Sequence, residues 1–245
     1  KKHLPEGECL IEPFVGAGSV FLNTDFSRYI LADINSDLIG LYNIVKLRTD
    51  ECVAAAREMF TTENNVAERY YQYRDEFNQS QDPLRRAVLF LYLNRHGYNG
   101  LCRYSRKTGF NVPFGKYKSV YFPENEIRLF AEKANDTKAI FRCAPFQRSL
   151  QVVTGGDVRV YCDPPYEPLP GTAGFTNYAA GGFSWDSQVE LAESCVAAHL
   201  RGAKVVISNS TAPRVIELYE QHGFTLHRVS ARRAISSKGS TRETA

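Results

Sequence analysis

CLIEPFVGAGSVFLNTDFSRYILADIN, residues 9–35, decides the fold. CLIEPF (9–14) is a short apolar run, GAGS (16–19) breaks it, VFLN continues as a helical turn, and YILADI (29–34) is a second β-type run ending in an acid. Strand, glycine turn, short helix and strand make half of a βαβ unit. The same alternation returns later. AIFRC (139–143), VRVYCDP (158–164) and KVVISNS (204–210) read as strands, separated by helices at roughly 123–136, PFQRSLQVV (145–153) and SWDSQVELAESCVAAHLRG (184–202). APRVIELYEQHG (212–223) is a further helix, and TLHRVSARR (225–233) reads as a last strand. Between the two halves lie four helical stretches: SDLIGLYNIVKLR with Ser36 as N-cap, DECVAAAREMF, NVAERYYQYRDEFNQ, and DPLRRAVLFLYLNR with Asp82 capping and Pro83 at the first helical position. Residues 97–123 turn to Gly, Asn, Arg and aromatics and read as loop or hairpin. The expectation is a doubly wound, mostly parallel α/β domain from 1–35 and 124–245, interrupted by a helical insertion at 36–123 with a hairpin at about 97–118. In such sheets the ligand crevice lies at the carboxyl ends of the strands, so the chemistry should follow CLIEPF, YILADI and VRVYCDP.

The chain has 245 residues, 43% hydrophobic and 23% charged, which argues against a disordered, collagen-like or coiled-coil protein. Six cysteines are scattered with no C-x-x-C pair, so neither a disulfide framework nor a structural zinc is expected. No apolar run approaches the roughly 20 residues needed to span a bilayer. KKHLPEGECL lacks the apolar core of a secretory signal, and the expected location is the cytoplasm, with no membrane partner. The net charge of +3 hides a segregation. Between Asp82 and Glu124 no acid occurs, while eight basic residues do, and Arg228–Arg242 holds five more. The rest of the chain has 17 basic residues against 27 acidic ones. Clustered Arg and Lys on a folded surface suit phosphate contacts through counterion release, although a solvated basic face carries the same charge.

Three motifs carry chemistry. In EPFVGAGS, Gly16 and Gly18 can adopt positive φ and let a ligand approach the backbone, and Ser19 opens the following helix. A lone G-x-G also fits a plain tight turn. Asp33 closes the next strand, where an acid at the crevice can accept from both hydroxyls of a ribose; it can equally cap the turn before Asn35-Ser36. With neither a third glycine nor a Lys-Ser/Thr pair, a nucleoside without phosphate fits better than a dinucleotide or a triphosphate. VRVYCDPPY is sharper. Asp163 and the carbonyl of Pro164 can hold both hydrogens of an exocyclic amine, Pro164-Pro165 keeps the backbone extended, and Tyr166 can stack on the ring bearing that amine. Methyl transfer to a nucleobase amine needs such a grip, because an aromatic amine is a poor nucleophile until its nitrogen is positioned in line with the donor.

EPFVGAGSVF, LADIN and VYCDPPY, in this order around a long insertion, resemble the alpha-group amino-methyltransferases of DNA. LNRHGYNGLCRYSRKTGFNVPFGKYK (93–118) resembles the target-recognition segment of the Dam-type adenine-N6 methyltransferases, and RRAISS (232–237) a basic loop near their C-terminus. The resemblance implies a Rossmann-like methyltransferase sheet with an inserted target-recognition subdomain, S-adenosyl-L-methionine as cofactor and double-stranded DNA as partner. It also implies a bacterial or phage origin. It places Glu12, Pro13, Phe14, Gly16, Gly18, Ser19, Asp33, Ile34 and Asp163 at the cofactor, and Asp163, Pro164, Pro165 and Tyr166 at the reacting base. DNA falls to Arg74, Arg95, Tyr98, Asn99, Leu101, Arg103, Pro113, Lys116, Tyr117, Arg232, Arg233 and Lys238.

The family usually carries a further Trp-Ala-Gly-Gly-Lys segment before the first strand and a strand-ending stretch after the basic loop. Neither stands in this sequence, which is expected to be part of a longer protein or a trimmed one. The expected activity is adenine-N6 methylation in GATC by base flipping and direct transfer, by a monomer needing no protein partner and no metal. Cytosine-N4 methylation and a catalytically impaired DNA-binding homologue are the alternatives. An Asn-Pro-Pro-Tyr version of the motif serves protein glutamine methylation, but Asp163 and the basic insertion argue against it.

Overall fold

The computed structural model describes residues 3–168 and 183–229. In chain order its elements are β1 (Cys9–Glu12), α1 (Ser19–Leu22), β2 (Arg28–Asp33), α2 (Ser36–Leu47), α3 (Thr49–Met59), α4 (Ala67–Gln79) and α5 (Pro83–His96). β3 (Tyr104–Ser105), β4 (Gly109–Phe110), α6 (Glu124–Asp136), β5 (Ile140–Cys143), α7 (Phe146–Gln151), β6 (Val158–Cys162), α8 (Trp185–Leu200), β7 (Lys204–Ile207) and α9 (Pro213–Gln221) follow. The sheet runs β5-β2-β1-β6-β7, every pair parallel. The chain moves outward from β1 through β2 to β5, then returns to the other side of β1 for β6 and β7. The order therefore reverses between β1 and β6, where a doubly wound sheet opens a crevice.

Successive side chains of β1 enter different cores, as a strand's period of two requires. Leu10 joins Phe21, Tyr29, Leu31 and Phe141 with the helices of the first half, while Cys9 and Ile11 join Val158, Val160, Phe146 and Leu191 on the opposite face. Burial on both faces explains why β1 reads as an unbroken apolar run rather than an alternating one. The first core continues into the segment 36–123: α2 packs on β2, β5 and α5, and Phe77, Phe90 and Phe110 belong to the same cluster as Leu10.

Two boundaries differ from the sequence reading. Asn35 rather than Ser36 caps α2, its Oδ1 accepting from Asp37 N–H at 3.0 Å and Leu38 N–H at 3.2 Å. An Asn side chain reaches the second and third amides as well as a Ser does, so the cap settles one residue earlier. The strand read at 225–233 does not form over its described part. Residues 224–229 pair with no strand among the described residues, and His227 instead stacks on His3 with ring centroids 4.9 Å apart. A β-type run becomes a strand only where a neighbouring edge accepts its ladder. Residues 230–233 of that run lie outside the described residues, as do Arg232, Arg233 and Lys238 of the DNA expectation. Asp82 caps α5 as read, accepting from Arg85 N–H at 2.6 Å.

Candidate active site

Glu12, Asp33 and Asp163 stand at the carboxyl ends of β1, β2 and β6, around the reversal in strand order. Gly16 and Gly18 take φ +45° and +72°, the left-handed region that a side chain resists. A Cβ at Gly16 would meet nothing within 4 Å, so the backbone there borders open space. Three bonds fix the turn: Val15 N–H donates to Ala32 O at 2.8 Å, Gly16 N–H to Asp33 Oδ2 at 3.1 Å, and Tyr42 O–H to Gly16 O at 2.7 Å. Asp33 Oδ1 accepts from Asn35 N–H at 2.9 Å. Asp33 thus caps the turn with both oxygens and keeps a lone pair on each, so capping leaves it acceptor capacity toward the crevice. Ile34 beside it is 77% exposed, an apolar side chain standing open at the crevice.

Glu12 is 2% exposed and its Oε1 has no hydrogen-bond partner among the described residues. Burial pushes its carboxyl up to about 8, a backbone bond from Phe21 opposes the rise, and the Asp163 carboxylate adds to it. A buried, half-satisfied acid beside a second acid favours a cationic or N–H-bearing ligand. Phe14, two residues on, stacks on Phe146 at 5.6 Å and forms one apolar wall. Pro13 lies between them in sequence, and Ser19 opens α1 after Gly18.

After β6 the chain leaves the sheet through Asp163, Pro164, Pro165 and Tyr166. Asp163 and Tyr166 are exposed and Pro164 is buried. The Tyr166 hydroxyl bonds Ser208 Oγ, and burial pushes it up to about 12, with the nearby Asp163 carboxylate contributing, so the ring stays neutral. Among the described residues the Pro164 carbonyl accepts no hydrogen bond, whereas the Pro165 carbonyl accepts one from Gln188 Nε2 at 3.0 Å. An exposed carboxylate and a carbonyl without a partner among the described residues thus stand on adjacent residues.

The segment 97–118 lies beside this crevice. At its base the Cys102 thiol is raised, first by burial and then by the charges of Asp33 and Asp37 after an opposing bond from Asn94. Tyr98 is 51% exposed, with its N–H donating to Pro113 O at 2.9 Å. Asn99 takes φ +53° and donates its N–H to Tyr117 Oη at 2.9 Å, so Tyr117 turns its hydroxyl inward to hold this turn. Arg103 donates Nε–H to Asn111 Oδ1 at 2.7 Å and Nη2–H to Asn111 O at 3.0 Å, which fixes the plane of its guanidinium. Pro113 and Lys116 are exposed, and Leu101 packs against the first core. Arg95 is exposed, while Arg74 lies over the Tyr71 ring at 4.7 Å. Tyr104 donates its hydroxyl to Asp37 Oδ2 at 2.8 Å, and Arg86 Nη2 donates to Asp37 Oδ1 at 2.6 Å. Gln188, Ser208, Asn209, Asn111 and Asp37 were not singled out from the sequence. Their partners lie 8 to 67 residues away. The only local signal was an amide among the apolar positions of α8.

A family model described as "D12 class N6 adenine-specific DNA methyltransferase" matches residues 1–235. The chain is 60% identical over 243 residues to a DNA adenine methylase of Escherichia coli K12, covering 99% of this chain and 86% of that protein. It is 54% identical over 237 residues to the DNA adenine methylase of Serratia marcescens, covering 96% and 86%. A third, of Vibrio cholerae, is 50% identical over 243 residues, covering 99% and 86%.

Proposed function

The chain belongs to the D12 class of N6 adenine-specific DNA methyltransferases, and from that premise we propose that it methylates adenine within GATC of double-stranded DNA, flipping the base out and using S-adenosyl-L-methionine. One observation carries the reading: a ligand-ready glycine turn and the Asp163–Pro164 acceptor pair open on the same crevice. When bound, S-adenosyl-L-methionine supplies an electrophilic methyl group on a positively charged sulfur. The residues fit that molecule. Glu12 Oε1 lacks a partner among the described residues and suits its ammonium group, the backbone at Gly16 borders open space, Asp33 retains lone pairs for ribose hydroxyls, and Ile34 offers an apolar face to adenine. Pro13, Phe14, Gly18 and Ser19 complete the wall.

The adenine amine cannot be reached inside a base stack, so the target leaves the helix. Asp163 and the Pro164 carbonyl then accept its two hydrogens, which draws the nitrogen toward sp3 and aims its lone pair away from both acceptors. Tyr166 stacks on the ring, with its hydroxyl held by Ser208. Pro165 keeps the turn extended. Transfer from the bound cofactor would break its carbon–sulfur bond as carbon joins N6, leaving a neutral thioether, and the surplus proton on N6 would pass to the Asp163 carboxylate or to water, so no bond to the protein is needed.

The segment 36–123 is proposed as the target-recognition part. Tyr98 and Asn99 are braced from below for insertion at the emptied position. Arg103, its plane set by Asn111, faces a guanine edge, and Leu101 and Pro113 offer apolar contact to a thymine methyl. Arg74, Arg95, Lys116 and Tyr117 meet the backbone. The enzyme acts as a monomer.

With labelled S-adenosyl-L-methionine, a duplex carrying one GATC should accept methyl groups while an otherwise identical duplex carrying GTAC accepts almost none. Equal transfer to both duplexes would overturn the assigned specificity. Label recovered on cytosine would overturn the assigned base.

A further inference from the structure

Two consecutive prolines deprive the turn after β6 of N–H donors at 164 and 165, so it cannot be fixed by a ladder of its own. Two amide side chains fix it instead. Gln188, 1% exposed on α8, donates Nε2–H to the Pro165 carbonyl at 3.0 Å, and its Oε1 accepts from Asn209 Nδ2 at 3.0 Å. Asn209, just beyond β7, accepts on Oδ1 from Glu167 N–H at 3.4 Å and Ser210 N–H at 2.8 Å. Ser210 Oγ–H donates to Glu167 O at 2.6 Å. The chain is therefore gripped on both sides of Tyr166, from two different elements.

We propose that Gln188 and Asn209 are positioning residues for methyl transfer, holding the turn so that the Pro165 carbonyl is occupied and the Pro164 carbonyl is the one presented beside Asp163. Stability alone does not ask for this pair. A buried amide on an apolar helix face costs desolvation that its two hydrogen bonds only offset. What an apolar side chain cannot supply is the register. A turn free to rotate would exchange which of two neighbouring carbonyls faces the base amine. The inference rests on the reading of Asp163 and Pro164 as the amine's acceptors.

Gln188→Leu removes both bonds at nearly constant volume. In single-turnover transfer to a GATC duplex, its rate should fall roughly 10- to 100-fold, as an ångström-scale misplacement does. DNA and cofactor affinities should stay within about twofold, because these amides bond the turn and not the ligands. A folded Gln188→Leu with the wild-type transfer rate overturns the proposal. Should that variant fail to fold, Asn209→Asp tests the same clamp isosterically. It keeps the acceptor for Glu167 and Ser210 but loses the donor to Gln188, and a wild-type rate there is equally fatal.

Gln188→Glu adds a readout that a purely structural role would leave flat. Its protonated carboxyl can donate to the Pro165 carbonyl and its ionised form cannot, so the ratio of variant to wild-type rate should fall as pH rises. A constant ratio counts against the clamp. Asp163→Ala separates the two claims. If it is inactive while Gln188→Leu transfers normally, only the clamp fails; if Asp163→Ala transfers normally, the acceptor reading itself fails.

Discussion

At Glu12 the fold holds an acid that burial, helped by Asp163, keeps protonated up to about pH 8. The native chain therefore binds one more proton than the unfolded chain between pH 4.5 and about 8. Stability falls as pH rises through that window, with a slope of up to about 1.4 kcal/mol per pH unit, and levels off above it. Glu12→Gln removes this contribution, so its melting temperature relative to wild type should climb between pH 5 and 8; a constant difference would refute the assignment. The same proton should leave when a cationic cofactor docks. Calorimetry at pH 7 in buffers of different ionisation enthalpy should show proton release in wild type and none in Glu12→Gln. Asp163, by contrast, is exposed, with the Tyr166 hydroxyl beside it. Asp163→Ala should lower methyl transfer by about 100-fold or more while leaving DNA affinity nearly intact, readable as a fall in kcat in steady-state assays on a GATC duplex. Asp163 was legible because its neighbours, two prolines and a tyrosine, announce a special turn. Gln188 was not, because a glutamine in a helix acquires meaning only from a carbonyl 23 residues away.

Among the elements, the hairpin β3–β4 is the least self-sufficient, with two residues in each strand. It borrows order from its surroundings. Asn78 on α4 donates to Thr108 O and Phe110 O at 3.1 Å each and accepts from Phe110 N–H at 2.9 Å, while Phe110 packs on Phe77 and Phe90. Tyr104 ties the hairpin to Asp37 in the first turn of α2, two residues after the Asn35 cap and four after Asp33. Tyr104→Phe should cost about 1–2 kcal/mol, seen as a lower denaturation midpoint at unchanged m-value, since a bond to a partly buried carboxylate is lost while Arg86 still neutralises it. A midpoint equal to wild type would show that the Asn78 bonds and the packing of Phe110 hold the hairpin without it. The glycine turn and its flanking strands were readable from local pattern, because parallel strands buried on both faces are simply apolar and the turn residues are explicit. The tail at 225–229 misled for a complementary reason: β propensity was present, but it pairs with neither described edge of the sheet, β5 or β7.

Over the whole molecule, the charge segregation visible in the sequence has a spatial meaning. In the acid-free stretch from Pro83 to Pro123, Arg85 and Arg86 on α5 pair with Glu76 and Asp37, and most of the remaining basic residues fall on the segment 97–118, whereas the acids Glu12, Asp33 and Asp163 gather at the sheet's crevice. A basic surface beside an acidic pocket suits a polyanion and a cationic cofactor bound side by side. DNA affinity should accordingly decline steeply with salt. Lys116, exposed at φ +57° on the hairpin, should account for one contact, so Lys116→Gln should reduce the slope of log K against log[salt] by about 1. An unchanged slope would remove Lys116 from the interface. This crevice is proposed to methylate the N6 of adenine within GATC. That proposal is tested most directly by mapping modified bases, with their sequence context, in the DNA of cells that lack adenine methylation and express this chain. N6-methyladenine should be confined to GATC in the expressing cells and absent from cells expressing Asp163→Ala. N6-methyladenine scattered over unrelated contexts, or N4-methylcytosine in its place, would contradict it.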